Sequence, residues 1–167
     1  MMIRTLSQTD DTPYKQLILD GLHAHPGLFR ISPEDAGEPL VPFASNSPDT
    51  FTLGAFQAAD QLIGTVSFAR EERAKLRHKG LIYRMYVASE ASGQGIGRAL
   101  LSEAILRAQQ IDGLQQINLT VVATNAKARH LYASEGFETF AVEKRGLKIG
   151  LEYFDEVQMA LHLKTHR

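Results

Sequence analysis

Gly93, Gly95 and Gly97 alternate along Ser92-Gly93-Gln94-Gly95-Ile96-Gly97, between a segment that reads as a β-strand, Leu81 to Val87, and one that reads as a helix from Ile96. A glycine turn at a helix N-terminus presents backbone N–H groups that the helix cannot pair, at the positive end of its dipole. That combination binds a phosphate or pyrophosphate. Two common versions of the chemistry fail on the residues they need. A dinucleotide fingerprint places its third glycine where Arg98 stands, and the next strand ends in Ala123-Thr124-Asn125 without a carboxylate for a ribose hydroxyl. A P-loop needs Gly-Lys-Ser/Thr, which occurs nowhere in the chain.

The elements that must position this turn follow from periodicity and punctuation. Ile3 to Leu6 reads as a short strand, and Thr12-Pro13 opens a helix with Leu17, Ile18, Gly21 and Leu22 on one face. Pro26, Pro33, Pro39, Pro42 and Pro48 break the stretch from 24 to 50 into loops, with a short helical turn near Ser32 to Asp35. Phe51 to Gln57 and Gln61 to Arg70 form a hairpin across Ala58-Ala59-Asp60. Ile96 to Ile111 is helical, with Gly97, Leu100, Leu101, Ala104, Ile105 and Ala108 on one stripe. Gln116 to Ala123 is a β-branched strand, and Asn125 caps a helix that ends at Gly136. Phe137 to Glu143 and Tyr153 to Leu163 close the fold as strands, with Lys144 to Leu151 as their connection. The strand–helix–strand centred on the glycine turn demands a right-handed crossover, hence one parallel pair. The expected class is mixed α/β: a mostly antiparallel sheet, flanking helices and one parallel strand pair.

Composition narrows the partners. The 167 residues are expected to form a single domain, 1–167, and a net charge of -1 without a long basic run argues against nucleic acid. No cysteine is present, which excludes an acyl-cysteine intermediate and a thiolate metal site. The six histidines lack metal spacing, with His23 and His25 on different helix faces, so no metal is expected. A polar N-terminus and the lack of a long apolar run imply a cytoplasmic protein without a membrane partner.

The turn, together with two further stretches, resembles the GCN5-related N-acetyltransferase (GNAT) superfamily. Its pyrophosphate motif, Gln/Arg-x-x-Gly-x-Gly/Ala, aligns with Ser92 to Gly97. Ser92 departs at the first position, which removes a side-chain contact to the phosphates and leaves the backbone donors intact. Asn125-Ala126-Lys127-Ala128-Arg129-His130-Leu131-Tyr132 with Glu135-Gly136-Phe137, and then Glu152 to Met159, match the family's later motifs in order. The resemblance implies the acyl-CoA N-acyltransferase fold and acetyl-CoA as cosubstrate, with cofactor contacts at Tyr86, Val87, Ser92, Gly93, Gln94, Gly95, Ile96, Gly97, Arg98 and Asn125. In the family, the strand before the turn splays from its parallel neighbour, and its freed backbone groups bond the pantetheine arm.

Several of these residues have a structural reading of their own. Asn125 is an N-cap by itself, and the resemblance adds a contact to the pantetheine. Tyr132, four residues after Ala128 and beside Leu131, is a core position by pattern. The resemblance gives its hydroxyl the task of protonating the departing thiolate. Lys127, Arg129 and Arg98 are solvated cations by pattern, and each could also face a phosphate. No carboxylate stands on Leu81 to Val87 to act as a base; Glu71, Glu72, His78, Tyr83 and Glu103 remain as candidates.

The resemblance implies an acceptor amine, small molecule or peptide, attacking directly between residues 22–45, 81–86 and 144–154. Glu34, Asp35 and Glu38 either favour a cationic acceptor or are merely solvated. The missing strand carboxylate and Ser92 keep open a second reading, a non-catalytic acyl-CoA-binding module. Homodimers are common in this family.

Overall fold

Residues 1–37 and 47–164 are described here from a computed structural model, and they build one seven-stranded sheet. Glu38 and the part of the expected acceptor wall from 38 to 45 lie outside the described residues. The strands are β1 (Met2–Thr5), β2 (Thr50–Gln57), β3 (Gln61–Arg70), β4 (Lys79–Val87), β5 (Gln116–Val122), β6 (Glu138–Ile149) and β7 (Glu152–His162). They lie in the order β1-β2-β3-β4-β5-β7-β6. Among the described residues only β4 and β5 pair in parallel, and every other strand pairing is antiparallel. This is the mixed sheet that the sequence predicts.

β2 and β3 are buried along nearly their whole length because both of their faces are covered. On one face, α2 (Ile96–Gln109) buries Ile96, Leu100, Leu101, Ala104, Ile105 and Ala108 against Leu53, Ile63 and Phe68. On the other, α1 (Asp11–Ala24) buries Tyr14, Leu17, Ile18 and Leu22 against Leu6, Phe56 and Leu62. Gly64 lets α2 approach, since a Cβ there would lie 3.0 Å from Leu100 and 3.3 Å from Ile96. α1 starts at Asp11, slightly ahead of the Thr12-Pro13 signal. Asp10 precedes it, accepting both guanidinium nitrogens of Arg4 at 2.8 and 2.9 Å and the Ser7 N–H at 2.8 Å.

Two further elements frame the C-terminal half. α3 (Ala126–Ser134) begins at Asn125, whose Oδ1 accepts the Ala128 N–H at 3.2 Å. Glu135 and Gly136 follow it, Gly136 with φ +101°. The connection expected at Lys144 to Leu151 is instead strand: β6 continues to Ile149, and the turn to β7 falls at Gly150 and Leu151. The strand crosses its polar middle through a bulge. Between Glu143 and Leu147 the register to β7 slips, Arg145 takes φ +55°, and Asp155 accepts the Arg145 N–H at 3.0 Å and the Lys144 ammonium at 3.1 Å.

Candidate functional site

The parallel pair is short. β4 and β5 meet only at Lys79–Gln116, Gly80–Ile117 and Leu81–Asn118. Beyond that point β4 stays with β3 and β5 stays with β7, so the two strands part and a gap opens in the middle of the sheet. A bulge accompanies the parting: between Thr65 and Ser67 the β3–β4 register slips, and Arg84 adopts φ +49°. The slip determines which backbone groups face the gap. Ala88 donates its N–H to the Ile63 carbonyl at 2.8 Å, so by the alternation of an antiparallel ladder Ala88 and Tyr86 face β3. Val87 then turns its N–H and C=O toward the gap, while Tyr86 contributes a side chain rather than backbone.

The glycine turn closes one end of this gap. Gly93 and Gly95 have φ +80° and +77°, a region costly for any residue with a Cβ, and a Cβ at either would meet only open space. Glycine stands there for conformation. Gly95 is the N-cap of α2 and brings no side chain to cap it. Among the described residues, none accepts a hydrogen bond from the N–H groups of Gly93, Gln94, Gly95, Ile96, Gly97 or Arg98. Six unpaired donors at one helix start form an anion cradle. Ile96 is buried beneath the turn and fixes it to the core, whereas Ser92 and Gln94 are exposed.

The cations are distributed unequally. Lys127 reaches from α3 to donate to the Ser92 Oγ at 2.5 Å, so a positive charge sits where the motif's first side chain is absent. Arg98 is committed elsewhere, to Glu135 at 2.8 Å. Arg129 donates to the Ala123 carbonyl at 2.9 Å, tying α3 to the end of β5.

Tyr132 projects from α3 into the core that α2 also covers. It is 7% exposed, its ring edge-on to Phe137 with centroids 5.9 Å apart. Burial pushes its hydroxyl up to about 12, so it stays protonated at neutral pH. Among the described residues its hydroxyl has no hydrogen-bond partner, whereas the Asn125 side chain is engaged in capping.

The opposite face of the gap is walled differently. Tyr86 packs its ring against Phe29, centroids 5.3 Å apart, and both fit because position 21 of α1 is glycine: a Cβ there would lie 2.9 Å from each ring. One residue on, Arg30 crosses to β7, its Nε 2.6 Å from Glu156 Oε2. Residues 26–30 therefore span from β4 to β7 above the gap. Of the five candidate bases, only Tyr83 lies on the stretch of β4 that parts from β5. It shares a cleft of about 420 Å³ with Glu72, Asp49, Arg70 and Arg77, and burial raises its hydroxyl. Glu71 and His78 are exposed near the closed end of the fork, and Glu103 is paired with Arg107 at 3.0 Å. Glu156 escaped the sequence reading. Its signal was an acid inside a strand whose next apolar residues, Val157 and Met159, belong to the core.

A sheet split at its one parallel pair, with an anion cradle at the split, defines a family. The chain belongs to the acetyltransferase (GNAT) family, which matches residues 19–137. It is 26% identical over 157 residues to a mycothiol acetyltransferase of Rothia mucilaginosa, covering 86% of this chain and 43% of that one. It is 33% identical over 67 residues to a mycothiol acetyltransferase of Propionibacterium freudenreichii, covering 40% of this chain and 21% of that one. The chain thus spans less than half the length of these curated relatives. A GNAT-family acetyltransferase from Streptococcus pneumoniae superposes with a TM-score of 0.86 at 24% identity, over 97% of this chain and 99% of that one. A phosphinothricin acetyltransferase from Sinorhizobium meliloti, solved in complex with AcCoA, superposes at 0.85 with 20% identity, over 97% and 88%. A mixed sheet of this order and these neighbours fix the acyltransferase fold. No helix among the described residues is long and apolar enough to cross a membrane.

Proposed function

We propose that residues 1–167 form one acetyl-CoA-dependent N-acetyltransferase domain that moves an acetyl group directly to an amine. The observation that carries this reading is the parting of β4 from β5 beside six unpaired N–H groups at residues 93–98. Acetyl-CoA, when bound, supplies an acetyl thioester. The cradle, helped by Lys127, takes its pyrophosphate, and Val87 bonds the pantetheine arm through its exposed backbone edge. The solved AcCoA complex of a neighbour on the same fold supports this cosubstrate.

The chemistry asks little more of the chain. The amine nitrogen attacks the thioester carbon; a C–N bond forms, the C–S bond breaks, the amine's proton passes to water, and solvent restores the proton that the acid gives to the thiolate. The Val87 N–H faces the gap and can donate to the carbonyl oxygen as it gains charge. Tyr132, a neutral phenol at neutral pH, gives a proton to the departing thiolate. The Arg98 guanidinium serves the fold through Glu135 while its backbone N–H stays in the cradle, and the Asn125 side chain serves as the cap of α3.

A second reading, an acyl-CoA-binding module without turnover, draws on β4 beyond the fork carrying Tyr83 but no carboxylate. Acceptor-dependent release of free CoA separates the two. The first test is calorimetric titration of wild type and Gly95→Glu with acetyl-CoA, CoA and NAD. CoA species alone should bind, and the variant, with a carboxylate aimed into the cradle, should lose them. Absence of CoA binding by the wild type overturns both readings.

A further inference from the structure

Glu156 is fully buried, yet neither carboxylate oxygen has a hydrogen bond among the described residues. Its charge is met there by Arg30 alone, whose Nε stands 2.6 Å from Oε2 without the alignment of a hydrogen bond. The two partners differ sharply in environment: the Arg30 side chain is 60% exposed, the Glu156 side chain 1%. A buried carboxylate costs heavily unless it is paired and hydrogen-bonded, and a solvated arginine on a proline-bracketed turn is a weak partner for it. The fold nevertheless makes room for it. Glu156 lies against Gly146 in the bulge of β6, where a Cβ would stand 2.7 Å from its Oε1. Bulges and unsatisfied buried charges are both devices of functional sites.

Its location says what the charge is for. Glu156 pairs in register with Val122, the last residue of β5, four positions beyond the fork at Asn118. Core-facing residues of β5 and β7, such as Val121 and Val157, lie toward α2, so Val122 and Glu156 lie on the α1 face, beneath residues 26–30. That is the face opposite the turn's helix, walled by Tyr86 and Phe29. The carboxylate leans toward β6, away from the gap, which sets it one to two strand spacings, about 5–10 Å, from a group reacting between β4 and β5. It is too far to be the base and well placed to hold a distal charge.

We infer that Glu156 is an acceptor-binding residue and that Arg30 holds its place until the acceptor arrives. The acceptor is then an amine with a second cationic group, the near nitrogen reacting and the far cation seated on Glu156. This inference rests on the acetyltransferase reading and deepens it.

The test titrates butane-1,4-diamine and, as a control of equal length and one charge, n-butylamine, with and without CoA. Wild type, Arg30→Ala and Glu156→Gln are compared. Arg30→Ala should bind the diamine at least tenfold more tightly than wild type, and Glu156→Gln at least tenfold more weakly. Both variants should keep CoA affinity within twofold and bind n-butylamine as wild type does. Equal diamine binding by Glu156→Gln and wild type overturns the assignment, as does an Arg30→Ala variant that does not prefer the diamine. Should Glu156→Gln fail to fold, the ratio of Arg30→Ala to wild type decides alone. Failure to bind CoA would instead strike the acetyltransferase reading and leave the amine result to be read separately.

Discussion

Replacing Tyr132 with Phe removes one oxygen and nothing else that the fold uses. The ring keeps its place, 7% exposed and edge-on to Phe137 at 5.9 Å. Its hydroxyl has no partner among the described residues, so no hydrogen bond is lost. The stability of Tyr132→Phe should therefore stay within about 0.5 kcal/mol of wild type. Tyr132→Ala would be a poor probe, because emptying such a site costs about 3–5 kcal/mol by itself. Turnover should behave in the opposite way. Loss of a positioned proton donor lowers rate by about 100- to 10,000-fold, or about 2.7–5.5 kcal/mol in the barrier. Urea unfolding and acceptor-dependent release of CoA thiol measure the two quantities on the same preparations, with acetyl-CoA affinity as a third.

The pH dependence adds a sign that can be checked. Burial moves the Tyr132 hydroxyl from its ordinary 10.0 up to about 12, so the neutral form is favoured by folding. The stability tied to that shift is fully present below about pH 10 and is lost as pH rises through about 12, with about 2.7 kcal/mol at stake. Tyr132→Phe lacks this loss, so wild type should weaken relative to the variant only above about pH 10. Turnover of the variant within threefold of wild type would refute the proton-donor role. A large fall in its stability at neutral pH would refute the claim that the hydroxyl is unpartnered.

Other consequences concern the charges. Lys127→Ala should weaken acetyl-CoA binding about three- to tenfold and flatten its salt dependence, since this ammonium lies on the phosphate turn at Ser92. Arg98→Ala should change that affinity less than twofold and stability by less than about 1 kcal/mol, because its guanidinium is exposed and paired with Glu135. A larger effect at Arg98 than at Lys127 in the same titration would reverse the two assignments. Hydrogen bonds from Arg4 hold Asp10 below the usual carboxylate range, despite the opposing effect of its burial. Its stabilisation is present above about pH 4 and is lost as pH falls through the lowered value. Asp10→Asn should cost about 1–3 kcal/mol in urea unfolding at neutral pH, and the difference should shrink below about pH 4.

The glycine turn was legible because everything that makes it is local. A positive φ at Gly93 and Gly95, an adjoining strand and an apolar helical stripe all lie within one short stretch of chain, and each leaves a mark on composition. The Asn125 cap, the hairpin at Ala58–Asp60 and the buried faces of α1 and α2 were readable for the same reason. The extension of β6 was not. Lys144, Arg145 and Gly146 look like a loop, and they remain in the strand because Asp155 on the partner strand gathers the Arg145 N–H and the Lys144 ammonium. That stabilisation belongs to a pairing, and a pairing has no signature in either segment alone.

Glu156 shows the same limit at the site itself. Along β7 it is one acid among several, no more prominent than Glu152 or Asp155. Its burial comes from three features that meet only in the fold: the register with Val122 that turns it to the α1 face, the bulge at Gly146 that admits it, and the Phe29-Arg30 crossing that covers it. The proposed cofactor half of this site lies in a turn, so it can be read along the chain. The proposed acceptor half lies across strands, where small changes in register or in one crossing residue re-aim a charge without disturbing the turn. A scaffold so divided can keep one cosubstrate while exchanging acceptors. On the reading proposed above, Glu156 beneath Arg30 is one such exchangeable charge.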